Sequence, residues 1–287
     1  MLSFFIMIDL HTHSNCSDGD LSPEDLVKYA VSKKITVLAL TDHDTISGLD
    51  RAEKASKENG IEFVRGIELG IEWPSGEFHL LGYGLSEISE SLHELIATLQ
   101  KNREERNLRI VEKLKDIDIN TSLEELYEIF NTKNICRPHI ADFLVSKKKV
   151  KNRQKAFDLY LAKGRPIYEK KVGMNLDVAI QAIKDSGGIP VLAHPLSLYV
   201  SWGKMEGVLQ DLYERGICGL EAWHSGVRLS EAKRLEELAR KLRFFVTAGS
   251  DFHGEKVRAD RKIGHTAGGI KIDERFWNSE LKPALKS

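Results

Sequence analysis

The sequence predicts an α/β fold: a barrel-like β/α domain whose two halves flank a run of helices. Three observations predict it. Short apolar runs alternate with amphipathic stretches through the first third of the chain. That rhythm stops after Leu85, and almost only helical periodicity follows to about Tyr168. After Met174 the alternation returns. Alternating β and α segments imply a parallel sheet with helices packed outside it. The expected division is therefore a discontinuous barrel, residues 1–85 and 172–287, and a helical insertion, residues 86–171.

The elements follow in order. Phe5 to Leu10 reads as a buried strand. Ser22 supplies an N-cap and Pro23 the first position of a helix running to Lys33. Ile35 to Leu40 is the next strand, Gly48 to Asn59 the next helix, and Glu62 to Val64 and Glu77 to Tyr83 are strands. In the insertion, helices are predicted over Ser91–Ile117, Ser122–Phe130, Pro138–Ser146 and Asn152–Ala162. The second half adds helices at Asn175–Ser186, Val208–Arg215 and Ser230–Lys241. Its strands are Gly188–Ala193, Gly219–Trp223 and Phe244–Ala248.

Composition excludes several classes. With 287 residues, 41% hydrophobic and 30% charged, and only 7 Pro, the chain is not fibrous or largely disordered. A net charge of −1 gives no whole-chain field toward nucleic acid or membrane. Cys16, Cys136 and Cys218 are odd in number and far apart, which suits reduced thiols in a cytosolic protein. The apolar start, Met1–Met7, lacks a basic region and a cleavage-site pattern, and Met7 offers a second candidate start. No apolar run approaches the roughly 20 residues that span a bilayer. A cytoplasmic protein without a membrane partner is expected. Charge is uneven, however: Lys133 to Lys171 holds 12 Lys/Arg against 3 Asp/Glu. That segment reads either as a solvated helical face or as a basic cap over an anionic substrate.

Chemistry gathers at the strand ends. Asp9-Leu10-His11-Thr12-His13 leaves the first strand with two imidazoles at alternate positions, so both project to one side. Asp18 follows in the loop. Thr41-Asp42-His43-Asp44 ends the second strand, Gly66-Ile67-Glu68 the third, and His79 lies on the fourth. Ala193-His194-Pro195, Glu221-Ala222-Trp223-His224 and Ser250-Asp251-Phe252-His253 end later strands. In a parallel barrel these ends converge on one face. A single strand-end histidine is more often a satisfied polar residue, but six or seven with acidic neighbours point to metal. Imidazole and carboxylate ligands without Cys suit Zn, Mn or Fe, and their number suggests more than one ion.

The segments Asp9-Leu10-His11-Thr12-His13-Ser14, Thr41-Asp42-His43-Asp44, Gly66-Ile67-Glu68, Ala193-His194-Pro195 and Ser250-Asp251-Phe252-His253 resemble the motifs of the polymerase-and-histidinol-phosphatase (PHP) family, in order and spacing along nearly the whole chain. The resemblance implies a distorted (β/α)7-type barrel. In the insertion, Ile135-Cys136-Arg137-Pro138-His139 is similar to the branch of nucleoside 3′,5′-bisphosphate phosphatases and 5′-to-3′ exoribonucleases. By this resemblance, His11, His13, Glu68 and Asp251 hold one metal. Glu68 shares a second with His79 and His194, and Asp18, His43 and His253 hold a third. Two or three divalent ions are implied, manganese first, with zinc or iron as alternatives.

The implied reaction is hydrolysis of a nucleotide phosphomonoester, releasing the 3′ phosphate of a bisphosphate, with 5′-to-3′ trimming of short RNA as a second activity. Divalent ions lower the pKa of a bound water toward 7, giving hydroxide, and clamp the phosphoryl oxygens. Bridging Glu68 is thereby part of the catalytic centre. No G-x-S-x-G elbow or phosphate loop of a triphosphatase is present. Asp9 and Asp42 read either as orienting imidazole N–H groups or as strand-end carboxylates at barrel helix N-termini. Arg137 is a bidentate phosphate ligand, and His139 binds a phosphate oxygen or protonates the leaving group; the alternative is a surface ion pair beside a helix-starting proline. His224 is the other candidate acid. Two rival readings stand beside this one: histidinol phosphatase, and a PHP-like regulatory or nucleic-acid-binding module.

Overall fold

The computed structural model describes residues 6–286. The first strand, β1, is Met7–Asp9; the readings that fall on residues 1–5 lie outside the described residues. Helix α1 (Pro23–Ser32) starts where the capping chemistry places it, the Ser22 hydroxyl accepting from the Asp25 N–H. Then come β2 (Ile35–Leu40), α2 (Leu49–Asn59), β3 (Glu62–Ile71) and β4 (Phe78–Tyr83). The helical insertion contributes α3 (Glu90–Leu114), α4 (Leu123–Phe130), α5 (Arg137–Ser146) and α6 (Arg153–Ala156), which passes into a π turn at Phe157–Leu161. The alternation then resumes with α7 (Leu176–Asp185), β5 (Ile189–Leu192), α8 (Trp202–Glu214), β6 (Gly219–His224), α9 (Leu229–Lys241) and β7 (Phe245–Gly249). A short α10 (Lys282–Ala284) is the last described helix.

Seven strands form one sheet in sequence order. Its inner rows are apolar and closed to solvent, with Leu38, Leu40, Ile67, Leu80 and Val246 fully buried. Beyond the ladders, Thr12 bridges Phe252, and the His13 N–H donates to Phe252 O at 2.8 Å. The segments leaving β1 and β7 are thus stitched together, and the sheet is a nearly closed barrel.

Three expectations are corrected. The sheet is not all parallel: β4 runs antiparallel to both β3 and β5. The reason is the connection, since Glu72–Glu77 is too short for a parallel crossover, which needs a dozen or more residues. Strand β3 continues past Val64 to Ile71. Gly66 hides that continuation by breaking the apolar alternation, and a Cβ there would meet Thr41 Cγ2 at 2.9 Å and Gly82 O at 3.1 Å, so close neighbours require glycine. Helix α8 starts at Trp202, not Val208, because Gly203 and Gly207 dilute its helical signal.

The chain divides into two compact units. One runs through Leu95 and resumes at Gly173; the other is Ile96–Val172. The second unit holds most of α3 together with α4, α5 and α6. It has its own core, with Leu114, Leu126, Ile140, Phe143, Leu144 and Leu161 buried together. No helix among the described residues is long and apolar enough to cross a membrane.

Candidate metal centre

The barrel unit brings all nine side chains expected as ligands into one cluster. Its hub is Glu68, fully buried on β3. One carboxylate oxygen, Oε2, lies 3.4 Å from His11 Nε2, 3.4 Å from His13 Nε2 and 2.9 Å from His43 Nδ1. The other, Oε1, lies 3.0 Å from both His79 Nδ1 and His194 Nε2, which are 3.3 Å apart. The reversal of β4 does not remove His79 from this rim: an antiparallel strand begins where its parallel neighbours end.

Asp251 Oδ1 sits on the opposite side, 3.6 Å from His11 Nε2, 3.3 Å from His13 Nε2 and 3.5 Å from His253 Nδ1. His253 Nε2 in turn reaches Asp18 Oδ1 at 3.3 Å. Three groups have ligand atoms all within 4.8 Å of one another: His13, Asp18, His43 and His253; His11, His13 and Glu68; and His43, Glu68 and His79.

The cluster fits divalent cations on its own chemistry. His11 Nε2, both ring nitrogens of His13, and Glu68 Oε2 are buried without a hydrogen-bond partner. Such atoms cost about 1–3 kcal/mol each when left unsatisfied. Nitrogen and carboxylate-oxygen lone pairs aimed at shared points are what a divalent ion would satisfy. The electrostatics follow the crowding. Burial and the charges of His253 and His43 push His13 down to about 3. Burial also opposes charge on His253, but Asp18 and Asp251 outweigh it and carry that ring up to about 9. Burial raises Glu68, yet His43, His79 and His11 hold its carboxyl well below the usual range.

Strained backbone supports the geometry. Asp44, His194 and Asp251 have φ of 53°, 25° and 55°, a left-handed region that costs a non-glycine residue of order 1–3 kcal/mol when sparsely populated. Two of them are visibly pinned by neighbours: Asp44 Oδ1 accepts from the Gly70 N–H at 2.9 Å, and His194 Nδ1 meets Ser197 Oγ at 2.9 Å.

Asp9 and Asp42 do not hold imidazole N–H groups, one of the two roles read from sequence. Asp42 accepts from the Ser14 N–H, the Ser14 hydroxyl and the Ser17 hydroxyl. Asp9 accepts from the N–H groups of His11, Ser250 and Gly264. Both therefore lock histidine-bearing loops, and burial pushes each up to about 6. A carboxylate outside the nine that does meet an imidazole is Glu221, missed as such because its partner His11 lies 210 residues away. Arg261 was also missed; buried, it lies 3.7 Å from Asp251 Oδ2 and 3.1 Å from His224 Nε2.

His224 lies at the cluster's edge, Nε2 3.4 Å from Asp251 Oδ2, with Nδ1 accepting from the Gly226 N–H. Burial lowers its pKa despite Asp251 and Glu221. Arg137 and His139 belong to the second unit, at the start of α5. There His139 Nδ1 accepts from the Cys136 N–H at 2.9 Å and its ring packs 4.9 Å from that of Phe130, so one ring nitrogen serves as a helix cap.

Comparison with known proteins agrees with this architecture. The sequence profile of the PHP domain matches residues 9–166, just over half of the chain. The chain is 34% identical to the 5′-3′ exoribonuclease of Haemophilus influenzae over 245 residues, covering 85% of this chain and 89% of that protein. It is 30% identical to the 3′,5′-nucleoside bisphosphate phosphatase of Chromobacterium violaceum over 271 residues, 94% and 95% of the two chains. The structure of an amidohydrolase from C. violaceum, with sulfate bound and no metal, superposes with a TM-score of 0.84 at 28% identity, covering 97% of this chain and 95% of that one. A sequence match over half the chain, a shared barrel and a histidine–carboxylate rim lead to one assignment: the chain belongs to the PHP family of metal-dependent phosphoesterases.

Proposed function

We propose that this phosphoesterase hydrolyses a phosphomonoester of a nucleotide, taking the 3′ phosphate from a nucleoside 3′,5′-bisphosphate and also trimming short 5′-phosphorylated RNA. The observation that carries the reading is Glu68, one carboxylate within 3.4 Å of five imidazoles. The relatives named for a bisphosphate nucleotide and for RNA supply the substrate class. His11, His13, Asp18, His43, Glu68, His79, His194, Asp251 and His253 would hold two or three divalent ions, manganese first. Such ions, when bound, acidify water and draw charge from phosphoryl oxygens.

The chain's own residues do the rest. Glu68 and Asp251 hold the imidazoles at fixed spacing, and the buried rim excludes bulk water. His224, at the edge of the cluster beside Asp251, is proposed as the acid that gives the leaving oxygen its proton. On the helical insertion, Arg137 is proposed to grip a phosphate bidentately, and His139 to bind a phosphate oxygen or protonate the leaving group.

The test is phosphate release by manganese-loaded protein from adenosine 3′,5′-bisphosphate, beside histidinol phosphate and a 5′-phosphorylated RNA oligomer. Release from the bisphosphate should fall to background in Glu68→Gln. In Arg137→Ala, kcat/KM should drop about tenfold to a hundredfold, the worth of a charge-assisted hydrogen bond. Turnover of histidinol phosphate alone would overturn the nucleotide assignment.

A further inference from the structure

Glu221 is fully buried on β6 and has both carboxylate oxygens committed. Oε1 accepts from His11 Nδ1 at 2.8 Å, and Oε2 accepts from the backbone N–H of His194 at 2.9 Å. These partners lead to opposite oxygens of Glu68. His11 Nε2 faces Glu68 Oε2, whereas His194 Nε2 is 3.0 Å from Glu68 Oε1. Behind the pair stands Gly249, where a Cβ would fall 2.2 Å from His11 Cβ and 2.6 Å from Glu221 Oε1. The barrel has therefore left room for this carboxylate and this ring together.

Each bond has a distinct consequence. With Nδ1 turned to Glu221, Nε2 is the ring nitrogen that faces Glu68, and a cation there would take its lone pair. The second bond holds His194 in its φ 25°, ψ 68° backbone, the conformation that points its ring at Glu68. A single carboxylate thus sets the tautomer of one imidazole and the backbone of another.

We propose that Glu221 is a positioning residue that couples two cation positions, the one served by His11 and the one served by His194, so that they gain and lose their ions together. The inference rests on the metal reading above, and it concerns how the ions bind, not what is hydrolysed. A glutamine at this position has one carbonyl oxygen and an amide that donates, so it satisfies one of the two N–H groups and confronts the other with a donor.

The experiment titrates metal-free full-length protein with manganese against a competing chelator, reading bound ions by electron paramagnetic resonance. In wild type, two ions should bind with a cooperative isotherm. In Glu221→Gln both should weaken in parallel, about tenfold to a hundredfold, as removal of a ligand-orienting partner does. Nitrogen-15 spectra of the histidine rings should show His11 losing its single tautomer, a signature that a purely structural role would not move. Glu221→Asp, which keeps two acceptor oxygens, should recover part of the affinity and serves if the glutamine variant fails to fold. Weakening of one ion only, or unchanged affinity in both variants, overturns the coupling and leaves the proposed activity intact. A wild-type protein that binds no divalent ion overturns the coupling and the metal reading together. Strong cooperative binding without nucleotide turnover supports the coupling and overturns only the substrate assignment.

Discussion

At the residue scale, the site gathers buried atoms without a hydrogen-bond partner: His11 Nε2, both ring nitrogens of His13 and Glu68 Oε2. A side chain added at Gly249 would displace His11 and Glu221 at once. Gly249→Ala is therefore expected to lower bound manganese per chain, measured by elemental analysis, while costing stability about 1–3 kcal/mol through overpacking. A second prediction concerns acid. Burial of Glu236 is outweighed by Arg275 and the Trp223 indole N–H, which hold its carboxyl down to about 2 against an ordinary 4.5. A carboxyl lowered by folding contributes stability that is present above its unfolded value and fades as pH falls toward its folded one. Melting midpoints should thus decline as pH drops from about 4.5 to about 2, and Glu236→Gln should flatten that part of the profile. Histidines with acidic neighbours at successive strand ends pointed to metal, and the PHP resemblance named the nine side chains that the fold brings together. Glu221 and Arg261 were not legible in sequence, since what they touch lies across the barrel and no local pattern reports it.

At the element scale, strands such as β2 and helices such as α1 and α4 were legible because period and cap agree. Ser22 and Ser122 both accept from the N–H three residues on, as their spacing predicts. What failed was orientation and extent. Strand β4 reads as one more β segment, and only the brevity of its link to β3 reveals that it reverses. The reversal has a geometric result: His79 enters from the start of its strand and meets one oxygen of Glu68 while His43 meets the other. Helix α8 and the second half of β3 were obscured by glycines, which weaken periodicity without preventing the element where packing demands it.

At the scale of the whole molecule, charge is partitioned as well as structure. The basic segment Lys133–Lys171 lies in the second unit, and Lys148, Lys149 and Lys151 are exposed there. If they touch an RNA backbone, turnover of an RNA oligomer should fall with salt more steeply than turnover of a mononucleotide. Lys148→Ala with Lys149→Ala should then lessen the slope of log affinity on log salt by about 0.7 for each phosphate no longer neutralised. An unchanged slope would return the segment to a solvated helical face. Composition leaves that choice open, because a run of lysines looks the same in either role.

The seam between Thr12 and Phe252 also bears on how the protein comes into being. Asp9 is bonded to Ser250 and Gly264, 241 and 255 residues further along, and His13 is held by the backbone of Phe252. The first histidines of the cluster to leave the ribosome therefore wait for the last. Pairings so distant in sequence make folding slow, since loop closure precedes any gain from them. A nascent chain that lacks β7 and the loop after it carries most of the imidazoles but no closed cage. Of the three ligand groups, the one that includes His253 is complete only when that final strand and the loop after it have emerged.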